Sequence, residues 1–332
     1  MTIAVGLIGA GAIAREHLAA YERLPGVRVS HVADVDTRRA RELAALAGGA
    51  TWTADPEEVF AAPGVDAVDI CTTSASHAAL AIAAAAHGKQ LHVEKPAALS
   101  LADFDAMAAA AERHGVSLMV GQTARFQPVH RALAREVAGG TIGRLRLLHV
   151  TWYGGHVWSG GWRAWQLDPA RSGGQPLHLG IHAIDLATWL FDARPARVFA
   201  RGFRSWAPAM GVPDSFHLTL RFDGGGLALL EISYALRARG DSLRRVLAVG
   251  EAGSLHHTTA GEPGLVSDAA RAPSPAVEDA MQHQLAHWLA TLRGEEAPLV
   301  TLPQARAALA AALAAQESLE TGAAVRIGDD RE

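Results

Sequence analysis

A glycine-rich turn that follows an apolar run near the N-terminus constrains this chain more than any other feature. Ile3 to Ile8 is short, apolar and partly β-branched, which predicts a strand buried on both faces of a parallel sheet. The segment Gly9-Ala10-Gly11-Ala12-Ile13-Ala14 follows it as G-x-G-x-x-A. Gly9 permits the tight bend, and Gly11 lets the backbone approach a pyrophosphate. The turn therefore predicts a dinucleotide site.

The segment after the turn strengthens this prediction. A helix from Ala12 to about Leu24 would aim its N-terminal N–H groups at the phosphates, and the apolar run Val27 to Ala33 then ends at Asp34. Asp34 could accept hydrogen bonds from both ribose hydroxyls and would repel a 2′-phosphate, so NAD is favoured over NADP. Arg38 makes the preference for NAD weaker, because its guanidinium could pair with such a phosphate. The predicted cofactor residues of this segment are Gly9, Gly11, Ala12, Ile13, Asp34 and Arg38.

Composition sets the broad class of the protein. A chain of 332 residues, 49% of them hydrophobic, is long enough for two cores. The formal net charge is -4, with no run of like charges, which argues against nucleic acid or an anionic membrane as a partner. The single cysteine, Cys71, excludes an internal disulfide framework and fits a buried strand position. We find no signal-peptide pattern and no bilayer-spanning apolar stretch, so we expect a soluble, cytoplasmic protein.

Strand and helix signals alternate from the N-terminus to Gly121, and this alternation predicts a doubly wound parallel sheet, the Rossmann fold, over residues 1–121. Beyond it, a helix from Pro128 to about Ala138 precedes several strand-like runs with turn signals between them. These runs predict a second domain of the α+β class with a largely antiparallel sheet, so the whole chain is α/β. The stretch Ala272 to Ala276 carries two prolines and reads as a loop.

A lysine follows one of the predicted strands of the first domain. The strand Gln90 to Val93 runs into Glu94-Lys95-Pro96, at the carboxyl edge of the sheet where ligands bind in such folds. A lysine there would meet the nicotinamide end of the cofactor, and Pro96 restricts Lys95 to an extended backbone. The alternative is a solvated lysine at the end of a strand.

Polar side chains recur at helical spacing in the second domain. His178, His182 and Asp185 stand at i, i+4 and i+7, hence on one face if the segment is helical in spite of Pro176 and Gly180. In one interpretation His182 takes the proton of a substrate hydroxyl, and Asp185 orients it or caps its helix. A metal pair is disfavoured, because the motif lacks the Glu of H-E-x-x-H and a third ligand; we predict no metal. In the alternative interpretation, these polar groups only form hydrogen bonds with one another and have no catalytic role.

Aromatic residues crowd the segment before these histidines. Tryptophan faces stack against the C–H surfaces of sugars, so the cluster favours a carbohydrate substrate over a small acid. Core packing or a subunit contact is the alternative. Trp158 and Arg163 are the candidate substrate-binding residues here, with His156 a further one. The aromatic residues are Trp152, Tyr153, Trp158, Trp162 and Trp165.

Taken together, these motifs resemble those of the Gfo/Idh/MocA family of oxidoreductases, which contains glucose-fructose oxidoreductase and inositol dehydrogenases. The match runs in the same order over nearly the whole chain. It rests on the glycine turn with Asp34, Thr72 to His77, Glu94-Lys95-Pro96, Arg125-Phe126-Gln127-Pro128, Trp162-Arg163 and Gly180 to Asp185.

The resemblance implies a fold and an assembly. The first domain would be followed by a second, residues 122–300, built on an open mixed sheet. The last helix and tail, residues 301–332, would return toward the Rossmann domain. Association into a homodimer or homotetramer would use the sheet of the second domain.

The resemblance also implies roles for individual residues. Lys95 matches the catalytic lysine that bonds the reacting hydroxyl, and His182 matches the acid/base histidine. His178 stands where most members carry an aspartate, so the base could be either histidine, and both join Lys95 as catalytic and substrate-binding candidates. The implied cofactor set extends to Thr72, His77, Glu94, Lys95, Arg125 and Arg163.

The expected activity is oxidation, with NAD, of a secondary or anomeric hydroxyl carbon of a sugar, a sugar derivative or a cyclitol. One alternative is a tightly held NAD that is reduced and reoxidised within one cycle, giving epimerisation, glycoside cleavage or sugar-to-sugar transfer. A second is a non-catalytic, nucleotide-sensing regulator. The presence of both Lys95 and His182 argues against the regulator, since a pure binding module has no need of them.

Overall fold

The computed structural model describes residues 2–155, 164–205, 209–236, 242–260, 264–267, 271–273 and 279–328. The chain forms two compact units. The first comprises Met1–Thr123 with Asp279–Pro303, and the second comprises Ala124–Glu278 with Gln304–Glu332. Among the helices of the described ranges, none combines the length and the apolar character needed to cross a membrane.

The first unit alternates strands and helices, as predicted. Its strands are β1 (Ile3–Ile8), β2 (Val27–Ala33), β3 (Thr51–Thr53), β4 (Ala67–Ile70), β5 (Gln90–Glu94) and β6 (Leu118–Gly121). Its helices up to β6 are α1 (Ala12–Tyr21), α2 (Thr37–Leu46), α3 (Pro56–Ala61), α4 (His77–Ala86) and α5 (Leu101–His114).

The six strands form one parallel sheet in the order β3-β2-β1-β4-β5-β6, which confirms the predicted Rossmann fold. All six residues of β1 are buried, as expected for a central strand covered on both faces. The strand order reverses between β1 and β4, and ligands of doubly wound sheets bind at such a switch point. The glycine turn after β1 therefore lies at the position where a dinucleotide is expected.

Local capping explains where several helices begin and end. The Asp36 side chain accepts hydrogen bonds from the backbone of Arg38 and Arg39 at the start of α2. Ser100 accepts one from the backbone of Asp103 at the start of α5, and Gly115 ends that helix in the left-handed conformation. These boundaries are therefore local properties of the sequence.

The second unit begins with α6 (Pro128–Ala138) and β7 (Leu145–Gly155), followed by the short α7 (Pro169–Ser172). A π-helical turn, Pro176–Gly180, leads directly into α8 (Ile181–Phe191). Its further strands are β8 (Pro195–Phe203), β9 (Ser215–Phe222), β10 (Leu227–Leu236), β11 (Ser242–Gly250), β12 (Ser254–Thr258), β13 (Gly264–Ser267) and β14 (Arg271–Pro273).

A nine-stranded sheet forms the second unit, in the order β14-β13-β12-β11-β7-β10-β9-β8-β15, where β15 is Val325–Arg326. β7 and β10 pair in parallel, and the other described neighbours pair antiparallel. This confirms the predicted mixed, largely antiparallel sheet. Part of the expected loop at Ala272 to Ala276 belongs to β14, and residues 274–276 lie outside the described residues.

The two helices that follow β14 belong to different units. α9 (Ala280–Leu292) belongs to the first unit, and the last helix, α10 (Leu302–Thr321), belongs to the second. α9 is held by contacts to β5, since Gln284 and Trp288 both lie against His92. After α10, the backbone of β15 adds a strand beside β8. The return of the last helix toward the Rossmann domain stays a prediction.

A buried ion pair ties α8 to the segment before α6. The Arg125 guanidinium donates from Nε to Asp185 Oδ2 at 2.8 Å and from Nη2 to Oδ1 at 2.7 Å, and both side chains are fully buried. Nη1 of Arg125 donates to Gln304 Oε1 at 2.6 Å. Asp185 is therefore the ion-pair partner of Arg125, which corrects the interpretation that Asp185 orients His182.

We predict that Asp185→Ala lowers the free energy of unfolding by about 3–5 kcal/mol, because it leaves the Arg125 charge buried without its carboxylate. Denaturant unfolding measures this loss. Asp223→Ala is the matched control, since it breaks the exposed pair of Arg194 and Asp223 and should cost less than about 1 kcal/mol. Equal losses in the two variants would contradict the importance given to the buried pair.

Candidate active site

The glycine turn has the geometry that a dinucleotide requires. Gly9 has φ +97°, and a Cβ built there would lie 2.8 Å from the carbonyl oxygen of Cys71, so only glycine fits. A Cβ at Gly11 would meet nothing within 4 Å. Gly11 is also the N-cap of α1 and has no side-chain capping bond. Open space in front of an uncapped ten-residue helix is the environment in which a phosphate group binds.

Asp34 lies beside this turn. Its Oδ2 accepts a hydrogen bond from the backbone of Ala10 at 2.7 Å, and its Oδ1 accepts one from the backbone of Asp36 at 2.8 Å. A carboxylate can accept about four hydrogen bonds in all, so acceptor capacity remains for ribose hydroxyls. The open turn, the helix N-terminus and this carboxylate together fit NAD.

The remaining predicted cofactor residues of this segment lie around the same turn. Ala12 is exposed and Ile13 is half-buried in the first turn of α1. The exposed Arg38 donates from Nη1 to Glu42 Oε1 at 3.1 Å and lies 3.8 Å from Asp36. Carboxylates of its own helix region therefore already neutralise this guanidinium.

Lys95 extends from the carboxyl end of β5, two strands from the glycine turn. Burial lowers the pKa of its ammonium, and the neighbouring Glu94 carboxylate opposes this. The Lys95–Pro96 bond is cis. The buried ring of His77 holds this segment, with Nδ1 at 2.9 Å from the Pro96 carbonyl oxygen and Nε2 at 3.1 Å from that of Thr72. His77 and Thr72, predicted as cofactor residues, are thus tied to the lysine segment, while their contact with a cofactor stays a prediction.

A buried polar cluster next to Glu94 was missed by the sequence analysis. Asp69 Oδ2 accepts from His17 Nδ1 at 2.7 Å and from the Tyr21 hydroxyl at 2.8 Å, and Oδ1 accepts from His92 Nδ1 at 2.7 Å. The signal was available, because Asp69 and His92 interrupt the apolar strands Val68-Asp69-Ile70 and Leu91-His92-Val93. A charged residue inside a buried strand must have partners.

This cluster has the geometry of hydrogen bonds. The ligating atoms of His17, Asp69 and His92 lie within 4.8 Å of one another, which raises the question of a metal ion. Ligands about 2.0 Å from a tetrahedral zinc ion stand about 3.3 Å apart. The separations of 2.7 Å between carboxylate and imidazole are too short for that arrangement and typical of shared protons. Cys71 beside them is buried, and its burial raises the pKa of the thiol to about 12.

In the second unit, His182 stacks on Trp152. The two rings are 5.6 Å apart between centroids and inclined by only 9°. Trp152 on β7 pairs in register with Arg244 on β11, whose guanidinium carbon lies 4.4 Å from the centroid of the Trp152 ring. Trp152 is buried, which agrees with the alternative of core packing for this residue. Its ring lies stacked on that of His182.

His178 lies on the π-helical turn before α8, and its backbone N–H donates to the carbonyl of Gly174 at 2.9 Å. Its ring meets Trp165 edge-on at 5.3 Å between centroids. The segment is therefore helical, but the π-helical turn breaks the regular i, i+4 spacing that the sequence suggested for the two histidines. Trp158 and Arg163, with His156 and Trp162, lie outside the described residues.

A cavity of about 530 Å³ opens elsewhere in the second unit, between α6, α8 and β7. Its walls include Trp189, Phe191 and Arg144, and neither histidine lines it. The predicted site and this cavity are thus separate features. Arg125 is fully buried and bonded to Gln304, one of the residues that line the cavity, and its contact with a cofactor stays a prediction.

Comparison with known proteins decides the family. Residues 3–122 match the model of the oxidoreductase family with an NAD-binding Rossmann fold, GFO_IDH_MocA, and residues 130–256 match the GFO/IDH/MocA C-terminal domain. The chain belongs to the Gfo/Idh/MocA family of oxidoreductases. This confirms the resemblance, the NAD-binding Rossmann domain and the assignment to the oxidoreductases.

Full-length similarity supports this membership. Inositol 2-dehydrogenase 2 of Paenarthrobacter aurescens is 30% identical over 338 residues, 97% of this chain and 96% of that protein. The scyllo-inositol 2-dehydrogenase (NAD(+)) of Bacillus subtilis is 29% identical over 92% of this chain and 90% of its own length. The crystal structure of an oxidoreductase from Agrobacterium radiobacter in complex with NAD+, L-tartaric acid and magnesium has a TM-score of 0.85, with 25% identity over 99% of each chain.

We predict that Gly11→Ala weakens NAD binding about tenfold to a hundredfold while changing the free energy of unfolding by less than about 1 kcal/mol. The added methyl group meets no protein atom but occupies the space in front of α1. Fluorescence titration with NAD and denaturant unfolding measure the two quantities. Gly9→Ala is the contrast, since its positive φ and its contact with Cys71 should also lower stability; unchanged NAD affinity in Gly11→Ala would refute the phosphate site.

Proposed function

We propose that the protein is an NAD-dependent dehydrogenase that oxidises a secondary hydroxyl carbon of a sugar, a sugar derivative or a cyclitol. The observation that carries this proposal lies within the first unit. An open glycine turn with Asp34 and a lysine of lowered pKa share the carboxyl edge of one parallel sheet. A binding module alone would need the turn and the acid but not the lysine.

The side chains would divide the reaction between them. Bound NAD would supply the hydride acceptor. The Lys95 ammonium would donate a hydrogen bond to the reacting oxygen and stabilise the negative charge that develops on it. An imidazole would take the hydroxyl proton, and we assign this role to His182, whose ring is stacked on that of Trp152. His178, edge-on to Trp165, is the second candidate for the base.

The relatives support the substrate class. Their names describe dehydrogenases of myo-inositol, scyllo-inositol and D-apiose. Each of these substrates carries several secondary or anomeric hydroxyl groups, so we propose a polyhydroxylated ring as substrate. The half-buried Trp165 beside His178 could offer an aromatic surface to the C–H face of such a ring.

The preference for NAD over NADP rests on charge. Asp34 would lie against a 2′-phosphate and repel it. The nearby guanidiniums that could compensate are engaged by carboxylates, Arg38 by Glu42 and Arg39 by Asp36. We therefore propose NAD as the physiological cofactor.

We predict that a panel of inositols, monosaccharides, anhydrosugars and glycosides contains a substrate that reduces NAD, followed by the absorbance of the reduced nicotinamide. Loss or gain of one charged hydrogen bond at the ribose corresponds to roughly tenfold to a hundredfold, so kcat/KM with NADP should be lower by this factor. Bound cofactor that survives gel filtration, without net reduction of added NAD, would favour the internal redox cycle instead. Tighter binding of NADP than NAD would overturn the role of Asp34.

We predict that Lys95→Met lowers kcat about 100-fold or more with little change in NAD affinity, because the charge that stabilises the developing alkoxide is lost. Steady-state kinetics and NAD titration separate the two effects. Lys89→Met is a control at the opposite end of β5, where the lysine Nζ donates to the carbonyl oxygens of Ala62 at 2.9 Å and Val65 at 2.8 Å. It should lower stability and leave kcat unchanged, and unchanged turnover in Lys95→Met would refute the catalytic role.

A further inference from the structure

The buried polar cluster of the first unit extends to the residue before Lys95. Asp69 on β4 and His92 on β5 are register partners, and Glu94 lies two residues beyond His92 on the same face of the sheet. α1 covers this face and inserts His17 between the two carboxylates. We call Asp69, His17 and Glu94 the charge chain.

The imidazole of His17 lies between two buried carboxylates. Its Nδ1 lies 2.7 Å from Asp69 Oδ2, and its Nε2 lies 3.3 Å from Glu94 Oε1. A carboxylate oxygen only accepts, so Nδ1 must present a proton to Asp69, while Nε2 is within ion-pair distance of Glu94 without the geometry of a hydrogen bond. A neutral ring carries one N–H and would leave a lone pair facing a carboxylate. The imidazolium is favoured, because the ring lies between two buried carboxylates.

The ionisation of the three groups agrees with this geometry. Burial alone would lower the pKa of His17, but the Asp69 carboxylate outweighs it and holds the pKa well above its usual value. Burial would likewise raise the pKa of Asp69, yet the imidazoles of His17 and His92 hold it far below the usual range. The pKa of Glu94 is lowered, because His17 and Lys95 together overcome the effect of its burial. Charges therefore alternate from Asp69 through His17 and Glu94 to Lys95.

Contacts with β6 and with the backbone of Lys95 limit the position of the Glu94 carboxylate. Its Oε2 accepts a hydrogen bond from the backbone N–H of Lys95 at 3.1 Å. A Cβ on Gly121 would lie 2.8 Å from Glu94 Oε1, so the carboxylate fills the space that a larger residue on β6 would need. The position of Glu94 is thus coupled to the lysine through the backbone and to His17 through charge.

We propose that the charge chain Asp69–His17–Glu94 determines how strongly the charged form of Lys95 is stabilised, and that His17 is a positioning residue for the reaction. The imidazolium shares the negative charge of Glu94, so the ammonium of Lys95 is stabilised but remains a strong donor toward the reacting oxygen. This inference rests on the proposed role of Lys95.

Other ionisable groups face the same two residues. His17 faces groups from its own helix, from β4 and the residue after it, and from β5. Those groups are Glu16, Tyr21, Asp69, Cys71, His92 and Glu94. On the side of Lys95, the neighbouring titratable groups are Glu94 and His77. Cys71 and Tyr21 are neutral at working pH, because burial raises the pKa of both.

The direction of each effect on Lys95 follows from the sign of the charge removed. His17→Gln deletes a positive charge next to Glu94. The Glu94 carboxylate then stabilises the Lys95 ammonium more strongly, and the pKa of Lys95 rises. Glu94→Gln deletes the negative charge beside Lys95, so its pKa falls. A purely structural role for either residue predicts no such opposite shifts.

The test measures kcat/KM against pH for polyol oxidation by the full-length protein. The basic limb, where Lys95 loses its proton, should move up by about half a pH unit or more in His17→Gln and down by about one unit in Glu94→Gln. The acid limb, assigned to the histidine base, should stay in place. Tyr21→Phe is the matched control in the same cluster, because it removes a hydrogen bond to Asp69 without changing any charge, and it should leave both limbs unmoved.

A second measurement needs no substrate. Nitrogen-15 NMR of the full-length wild-type protein should show both nitrogens of His17 protonated at neutral pH, and a lysine titration should show opposite shifts of the Lys95 pKa in the two variants. Such shifts without turnover on any polyol would leave the charge chain standing and remove the proposed dehydrogenase activity. Turnover with an unmoved basic limb, or a neutral His17 at neutral pH, would overturn the charge chain and leave the activity intact.

Discussion

Parallel pairing of β1 with β2 and with β4 aligns the carboxyl ends of neighbouring strands at one edge of the first sheet, and the candidate cofactor residues of that unit depend on this alignment. Gly9 follows β1, Asp34 follows β2, and Lys95 follows β5. A parallel sheet delivers every strand end to the same edge, whereas an antiparallel sheet would alternate them. Residues far apart in sequence therefore converge without any long-range specificity of their own.

Buried charge is the second organising constraint, and it recurs in both units. In the first unit, the Asp69 carboxylate lies among two imidazoles and the Tyr21 hydroxyl. In the second, the Arg125 guanidinium is paired with Asp185, three residues after His182 on α8. A buried charge is strongly unfavourable without a partner, so each arrangement pins the elements that carry it. The elements pinned here are those that carry Lys95 and His182.

Predictions from the sequence were most accurate where a local signal sets a boundary. Pro128 in the first turn and the glycine after Ala138 delimit α6, and Ser100 with Gly115 delimits α5. The short strands β3, β13, β14 and β15 were missed, because so few residues carry no periodic pattern and pairing alone defines them. The place of α9 was also missed, since contacts of Gln284 and Trp288 with a residue nearly two hundred positions earlier in the chain decide it.

The sequence by itself determined the Rossmann fold, the dinucleotide turn and the family, because these depend on glycines, apolar periodicity and short motifs that are read within a few dozen residues. Only the tertiary structure decided what each polar side chain faces. It assigned Asp185 to Arg125 and Trp152 to His182, and it joined Asp69, His17 and Glu94 beside Lys95. The physical reason is that a buried polar group takes its partner from whichever element packs against it, and that element is brought there by the fold of the whole unit.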